Sequence, residues 1–162
     1  MPNPHYDDFV KLVSQPIKFR LFQLRSLPSS FFAGVRIVSM DHDACSVVVK
    51  YRWFNRNPFG SLYFAIMGMA AEMSTGALCM ANLYKRKPCA SMLVVKVEGD
   101  YYKKVKGKVN FTCSIGKEIE VLIDQCYRSG EASSIRCESV GRNEQAEEVA
   151  RFWITWSFKV KT

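Results

Sequence analysis

Asn57-Pro-Phe-Gly-Ser-Leu-Tyr-Phe64, followed by Ala65-Ile-Met-Gly-Met-Ala-Ala-Glu72-Met-Ser-Thr-Gly-Ala-Leu-Cys-Met-Ala-Asn-Leu-Tyr84, decides the fold. Asn, Pro and Gly open the stretch as a turn. Ala, Met and Leu continue it as a helix over about residues 61–85. The helix carries one ionisable group, Glu72, near its middle. A helix that is apolar nearly all round must be wrapped nearly all round. A lone carboxylate on it is either well paired or chemically employed.

The rest of the chain reads as the wrapping. Upstream, Phe9, Leu12, Val13, Ile17, Leu21 and Leu24 recur at helical spacings, with a break at Pro16. This predicts a helical extension over residues 1–33 whose cap ends at Pro28. Val35 to Met40 and Cys45 to Phe54 alternate as strands joined by the polar turn Asp41-His42-Asp43, with Val47, Val49, Tyr51 and Trp53 sharing one face. The central helix should stop at Lys85-Arg86-Lys87-Pro88, where cations complement the helix dipole and proline bars continuation.

Downstream, Leu93, Val95 and Val97 oppose Lys96 and Glu98 in a strand from Met92 to Tyr102, and Lys103 to Gly107 read as its hairpin turn. Val109, Phe111, Cys113 and Ile115 then alternate strictly with polar residues. Ile119, Leu122, Ile123 and Cys126 switch to a helical stripe, which predicts a short second helix over about 117–127 ended by Gly130. Two last strands follow. One holds Ile135 and Cys137, and the other sets Phe152, Ile154, Trp156, Phe158 and Val160 on one face.

The expected architecture is α+β, a curved antiparallel sheet of about six strands, drawn as three hairpins, around one long helix. At 162 residues the chain fits a single domain over residues 1–162. An open sheet leaves an edge strand that needs pairing, so a homodimer is expected.

Composition narrows the function. The net charge of +8 favours anionic partners, but the cations are scattered, and neither Lys85-Arg86-Lys87 nor Lys103, Lys104, Lys106 and Lys108 forms a nucleic-acid-reading pattern. No nucleic-acid partner is expected, and the two clusters read as solvated faces. Six dispersed cysteines without a Cys-x-x-Cys pair read as buried thiols in a reducing, cytoplasmic setting. Glu72, Ser74, Thr75 and Asn82 make membrane insertion of the apolar helix costly, so no transmembrane segment is expected. The two histidines, His5 and His42, lie near the terminus and in a turn, so no metal site and no histidine-dependent triad is expected. No cofactor loop is present in the sequence, and none is expected.

Asn57-x-x-Gly60-Ser61-x-Tyr63-Phe64-Ala65, with Glu72 farther along the same helix, resembles the hot-dog thioesterase superfamily. In its phenylacetyl-CoA-type branch Asn-x-x-Gly-(Thr/Ser)-x-His-Gly-Gly precedes an acid on the helix. The Asn-Pro-Phe-Gly-Ser-Leu-Tyr run, the Ala-Ala-Glu core and Thr155-Trp-Ser-Phe-Lys159 look closer still to the DUF4442-type thioesterase-like group. The likeness covers Gly34 to Lys161.

The resemblance implies a hot-dog dimer, or a dimer of dimers, with each active site at a subunit interface and an acyl-CoA or acyl-carrier-protein thioester as substrate. It also implies roles. Asn57 would orient the attacking water or the thioester, the main-chain N-H of Phe64 would bind the thioester oxygen, and Glu72 would be general base or nucleophile. Tyr63 would keep a hydrogen-bonding group at the usual histidine position. Gly60, Ser61, Met73 and Thr75 are the candidate substrate-binding positions.

Physical chemistry supports the Glu72 and Phe64 assignments on its own. A helix N-terminus suits an oxygen acquiring negative charge, and a carboxylate in an apolar helix has its pKa raised toward the range of a general base. The bland readings stay open beside these: Asn57 and Gly60 as ordinary turn residues, Glu72 as a satisfied buried acid, the methionines as core. Tyr63-Phe64-Ala65 also stands where His-Gly-Gly is usual. Two functions therefore remain, a thioester hydrolase and a non-catalytic fatty-acyl or acyl-CoA binding protein.

Overall fold

The computed structural model describes residues 2–161. Three helices come first, α1 (Tyr6–Val13), α2 (Pro16–Ser26) and α3 (Pro28–Ala33). Pro28 does not end the helical segment as expected. Pro16 and Pro28 each stand at the first position of a helix, where the missing N-H has no intrahelical partner to lose, so each proline starts one. Gly34 closes α3 in the left-handed conformation, φ +72°.

Next come β1 (Arg36–Met40), β2 (Cys45–Lys50) and a single 3₁₀ turn, Trp53–Asn55. The strand stops short of Tyr51 and Trp53, which the alternation had placed on one face with Val47 and Val49. Trp53 is 76% exposed. The chain is pulled away here by Asn55, whose buried Nδ2 donates to the carbonyls of Ala33 and Lys50, both at 2.8 Å.

The central helix α4 runs Phe64–Leu83, and residues 57–63 form the turn before it. It is followed by β3 (Ala90–Tyr101), β4 (Lys108–Cys113), α5 (Gly116–Ser129), β5 (Ser133–Arg142) and β6 (Glu148–Val160). Gly130 terminates α5 with φ +73°, as the sequence suggested.

The six strands form one antiparallel sheet in the order β1-β2-β4-β5-β6-β3. Two hairpins are present, β1-β2 and β5-β6, and the expected third is not. β3 and β4 lie apart in the sheet, so residues 102–107 are a crossover rather than a turn. A local pattern of strand, lysines, glycine and strand is the same for both connections, and only long-range pairing tells them apart. The sheet curls around α4, which packs against β2, β4 and β5.

Within β3 the register shifts between Val94 and Lys96. Met92 and Val94 pair with Phe158 and Trp156, and Val97 pairs with Ile154, so Leu93 and Val97 end on opposite faces although the sequence placed them on one. An inserted residue reverses the alternation from that point on.

The inner face of β6 carries Phe152, Ile154, Trp156, Phe158 and Val160, all buried. By length and composition α4 could cross a membrane, but 67% of its most apolar window is buried inside the fold, as befits a core helix. Small residues let the wall come close. A Cβ on Gly76 would lie 3.0 Å from Trp156 Cζ2. The N-terminal helices are clamped on by buried amides, with Asn3 Nδ2 donating to the carbonyls of Ala81 (2.7 Å) and Tyr84 (2.9 Å), and Gln23 Nε2 to that of Val35 (2.9 Å).

Candidate active site

Two cavities border α4, and the candidate residues divide between them. The first, about 300 Å³, lies at the helix N-terminus and is lined by Asn57, Ser61, Phe64, Met67, Tyr101 and Lys103 among others. The loop is shaped by Asn57 itself. Its Oδ1 accepts from the Phe59 and Ser61 N-H groups (3.0 and 3.2 Å), and its Nδ2 lies 3.1 Å from Ser61 Oγ. Gly60 supplies the left-handed residue that this loop needs, φ +71°. Both polar ends of the Asn57 amide are therefore held within the loop.

Tyr63 precedes the helix, and the first helical N-H, that of Phe64, meets no acceptor among the described residues. Such an orphan donor at a positive helix end is a stabilising partner for a developing oxyanion. The Phe64 ring stands in edge contact with Tyr63 (4.9 Å between centroids) and Tyr101 (6.2 Å). Tyr101 in turn contacts Phe152 (5.4 Å), so an aromatic row runs from the helix mouth into the core.

The second cavity, about 460 Å³, surrounds Glu72. Glu72 and Met73 face Phe9, Phe19 and Phe22 of the N-terminal helices, with Met92 and Trp156 from the sheet. Among the described residues no hydrogen bond or ion pair holds the Glu72 carboxylate. Burial pushes its pKa up, because nothing nearby replaces the water that would stabilise the charge. Thr75, a candidate contact residue, is fully buried. Its hydroxyl donates to the Glu72 carbonyl (2.9 Å) and accepts from Trp156 Nε1-H (2.9 Å), which fixes the indole that walls the cavity.

Asn57, Ser61 and Phe64 are thus brought to one cavity and Glu72 and Met73 to another, while Tyr63 and Gly60 border the loop and Thr75 stands behind the wall. Phe64 and Glu72 are eight residues apart on one helix, about 12 Å along its axis. Sequence reasoning missed the aromatic wall from α1 and α2 and the part played by Trp156. Helical spacing picks out Phe9, but along α2 it picks out Ile17, Leu21 and Leu24, which the structure leaves exposed while Phe19 and Phe22 line the cavity, because α2 is apolar on both sides and its periodicity does not single out an inner face.

Residues 19–158 match the model of the family described as Domain of unknown function (DUF4442). The chain belongs to that family. The DUF4442 match begins inside α2, so part of the helical segment is covered along with the sheet. No curated protein matches the chain.

Solved structures match in fold. A Pseudomonas aeruginosa protein of unknown function, named a probable thioesterase, is 19% identical with a TM-score of 0.72, covering 99% of both chains. The Escherichia coli PaaI protein of the phenylacetic acid degradation operon is 13% identical with a TM-score of 0.66, over 94% of this chain and 96% of its own. A Haemophilus influenzae thioesterase is 15% identical with a TM-score of 0.63, over 86% and 88%. This DUF4442 chain has the hot-dog fold, a curved six-stranded antiparallel sheet around a long central helix, shared with thioesterases.

Proposed function

We propose that this protein hydrolyses an acyl thioester, carried by coenzyme A or an acyl carrier protein, and that it does so as a homodimer with Glu72 as general base. The observation that carries the reading is the Glu72 carboxylate, set in an apolar cavity without a partner and with a raised pKa. Ionised Glu72 takes a proton from water. The resulting oxygen nucleophile attacks the thioester carbonyl, whose oxygen accepts the Phe64 N-H as it becomes negative. Collapse breaks the C-S bond, the thiolate leaves and takes up the proton, and a carboxylic acid and a thiol are released.

The 12 Å between the two groups on one helix argues for a shared site. One thioester carbonyl cannot touch both within a chain, so the base of one protomer would meet the helix N-terminus of the other. The edge strand β3 supports the pairing. It is twelve residues long, unpaired on its outer side, and exposes Leu93, Val95 and Val97.

Glu72→Gln should lower hydrolysis of an acyl-CoA panel by at least about a hundredfold. Phe64→Pro deletes the helix-mouth N-H at a position where proline is tolerated, and should also inactivate. Mixing the two dead variants under conditions of subunit exchange should restore about a quarter of the wild-type rate, since half the dimers are mixed and each has one intact site. Full activity in Glu72→Gln sinks the base assignment, and a dead mixture sinks the shared site.

The Phe64 ring, more than half exposed at the helix mouth, stands where the phenylacetyl-CoA-type pattern that this sequence resembles has glycine, and favours a second reading as a non-catalytic fatty-acyl or acyl-CoA binding protein. Thermal stabilisation by acyl-CoA without hydrolysis at any chain length would select it.

A further inference from the structure

The helix α2 is apolar on two sides. Phe19 and Phe22 face inward and wall the Glu72 cavity. On the other side Ile17, Leu21 and Leu24 follow the spacing of a helical stripe, and they are 78%, 62% and 44% exposed. Together with Val38 of β1 they line an outer groove of about 460 Å³.

The groove shares Arg36 and Val38 with a second outer cavity of about 590 Å³, lined by Lys50, Arg52, Lys108 and Asn110. That cavity lies on the outer face of β1, β2 and β4. The register sets Lys50 directly opposite Lys108, a like-charge cross-strand pair that costs stability unless an anion relieves it. Among the described residues none of Lys18, Arg25, Arg36, Lys50, Arg52 and Lys108 forms an ion pair with a carboxylate. The other half of the same sheet face differs. Arg136 pairs with Glu98 (3.0 Å), and Arg151 with Glu138 (2.8 Å) and Glu148 (2.7 Å).

We propose that this combined surface docks the protein on an anionic lipid bilayer, with Ile17, Leu21 and Leu24 entering the acyl boundary and the Arg36, Lys50, Arg52 and Lys108 cluster meeting headgroup phosphates. An apolar face flanked by cations that meet no carboxylate among the described residues is the pattern that binds anionic interfaces, where apolar burial and charge attraction add. A second copy of the chain is the weaker occupant, because a two-fold contact would set the same cations against themselves. Docking through α2 sets the opposite side of the Glu72 cavity wall against the lipid. The inference is independent of the hydrolase reading.

The test is co-sedimentation of the full chain with vesicles of phosphatidylcholine alone and with about 30% phosphatidylglycerol. Wild type should bind the anionic vesicles and leave the neutral ones. Arg36→Gln with Lys50→Gln should weaken binding about twenty-five-fold, at about fivefold per cation. Ile17→Asn with Leu21→Asn should weaken it at least about tenfold, while keeping the thermal midpoint of wild type.

Absence of wild-type binding to anionic vesicles overturns the proposal, as does binding that both double variants retain. An oligomer in wild type that Ile17→Asn with Leu21→Asn dissociates would assign the stripe to a second copy. Thermal stabilisation by free pyrophosphate, lost in Arg36→Gln with Lys50→Gln while vesicles are ignored, would assign the cations to a soluble anion. Either result overturns the proposal.

Discussion

Glu72 and Asp124 are both acids set against the core of this protein, and their surroundings are opposite. Asp124 lies on α5, where Arg86, from the segment after α4, meets it at 2.7 Å, and the two side chains are only 12% and 9% exposed. The Arg86 guanidinium also covers the Tyr127 ring at 3.9 Å. Burial alone would raise the Asp124 carboxyl, but the charged partners beside it, Arg86 among them, hold it below the usual carboxylate range. Glu72 has burial and no compensating charge, and its pKa moves up. The same desolvation therefore yields a strut held ionised at neutral pH near one end of α4 and a carboxylate with a raised pKa in the middle. A buried carboxylate becomes chemically useful where the fold leaves it unpaired.

The largest expected contrast is in rate. Glu72→Gln should cost at least about a hundredfold in acyl-CoA hydrolysis, whereas Asp124→Asn should change it less than about threefold in whatever fraction stays folded. Comparable rate losses in the two variants would erase the functional distinction.

Stability should reverse the ranking. Asp124→Ala leaves the Arg86 guanidinium without its carboxylate in a nearly buried place, which costs about 3 kcal/mol and lowers the denaturant midpoint accordingly. Glu72→Gln removes a charge that folding desolvates without compensation, so its thermal midpoint at neutral pH should equal or exceed that of wild type. A Glu72→Gln protein less stable than Asp124→Ala would show that Glu72 is a structural acid after all.

The two acids should also respond to pH with opposite signs. The folded pKa of Asp124 is depressed, so its stabilisation is complete above the unfolded value near about 3.9 and is lost as pH falls through the folded value. The folded pKa of Glu72 is raised, so the native state binds the extra proton. Its contribution falls as pH rises from about 4.3 to the folded value and is flat beyond. Hydrolysis should rise through that same folded value, since only ionised Glu72 accepts a proton. Denaturation curves across acid pH for wild type, Asp124→Asn and Glu72→Gln separate the two slopes, and equal slopes would contradict the assignment.

The sequence made half of this contrast legible. Glu72 stands out because it is alone among Ala, Met and Leu over twenty helical residues, and that isolation is a local property. Alternation likewise exposed β4 and β6 and the switch to α5, because each buries a periodic face against the core. Asp124 and Arg86 could not be read in the same way. Arg86 sits in a run of three cations that looks like a solvated helix end, and its inward turn depends on α5 crossing behind it. The crossover between β3 and β4 was hidden for the same reason, since pairing across the sheet has no local signature. The bulge after Val94 was hidden because hydrophobic residues on both sides of it keep the alternation apparently intact. The division of the candidate site into two cavities follows from eight residues of helical rise, which the spacing contained once Phe64 and Glu72 were placed on one helix.

The smallest predicted effect concerns what keeps the Glu72 cavity open and apolar. Trp156 Nε1-H is buried and donates to Thr75 Oγ1 at 2.9 Å, and Thr75 Oγ1 donates in turn to the Glu72 carbonyl at 2.9 Å. Thr75→Val keeps the shape and removes the acceptor, which leaves a buried indole N-H unsatisfied at a cost of about 1–2 kcal/mol. With Trp156→Phe added, the orphaned donor disappears, so the double variant should lose less than the sum of the two single losses. A double-mutant cycle on thermal or denaturant unfolding measures this coupling. Strict additivity would mean that the hydroxyl does not hold the indole, and the cavity wall would then owe its position to Gly76 and packing alone. Coupling with unchanged Glu72-dependent hydrolysis would place the hydrogen bond on the structural side of the comparison. Coupling with a shifted pH profile would show that the wall's position sets how far the Glu72 carboxylate is withdrawn from water.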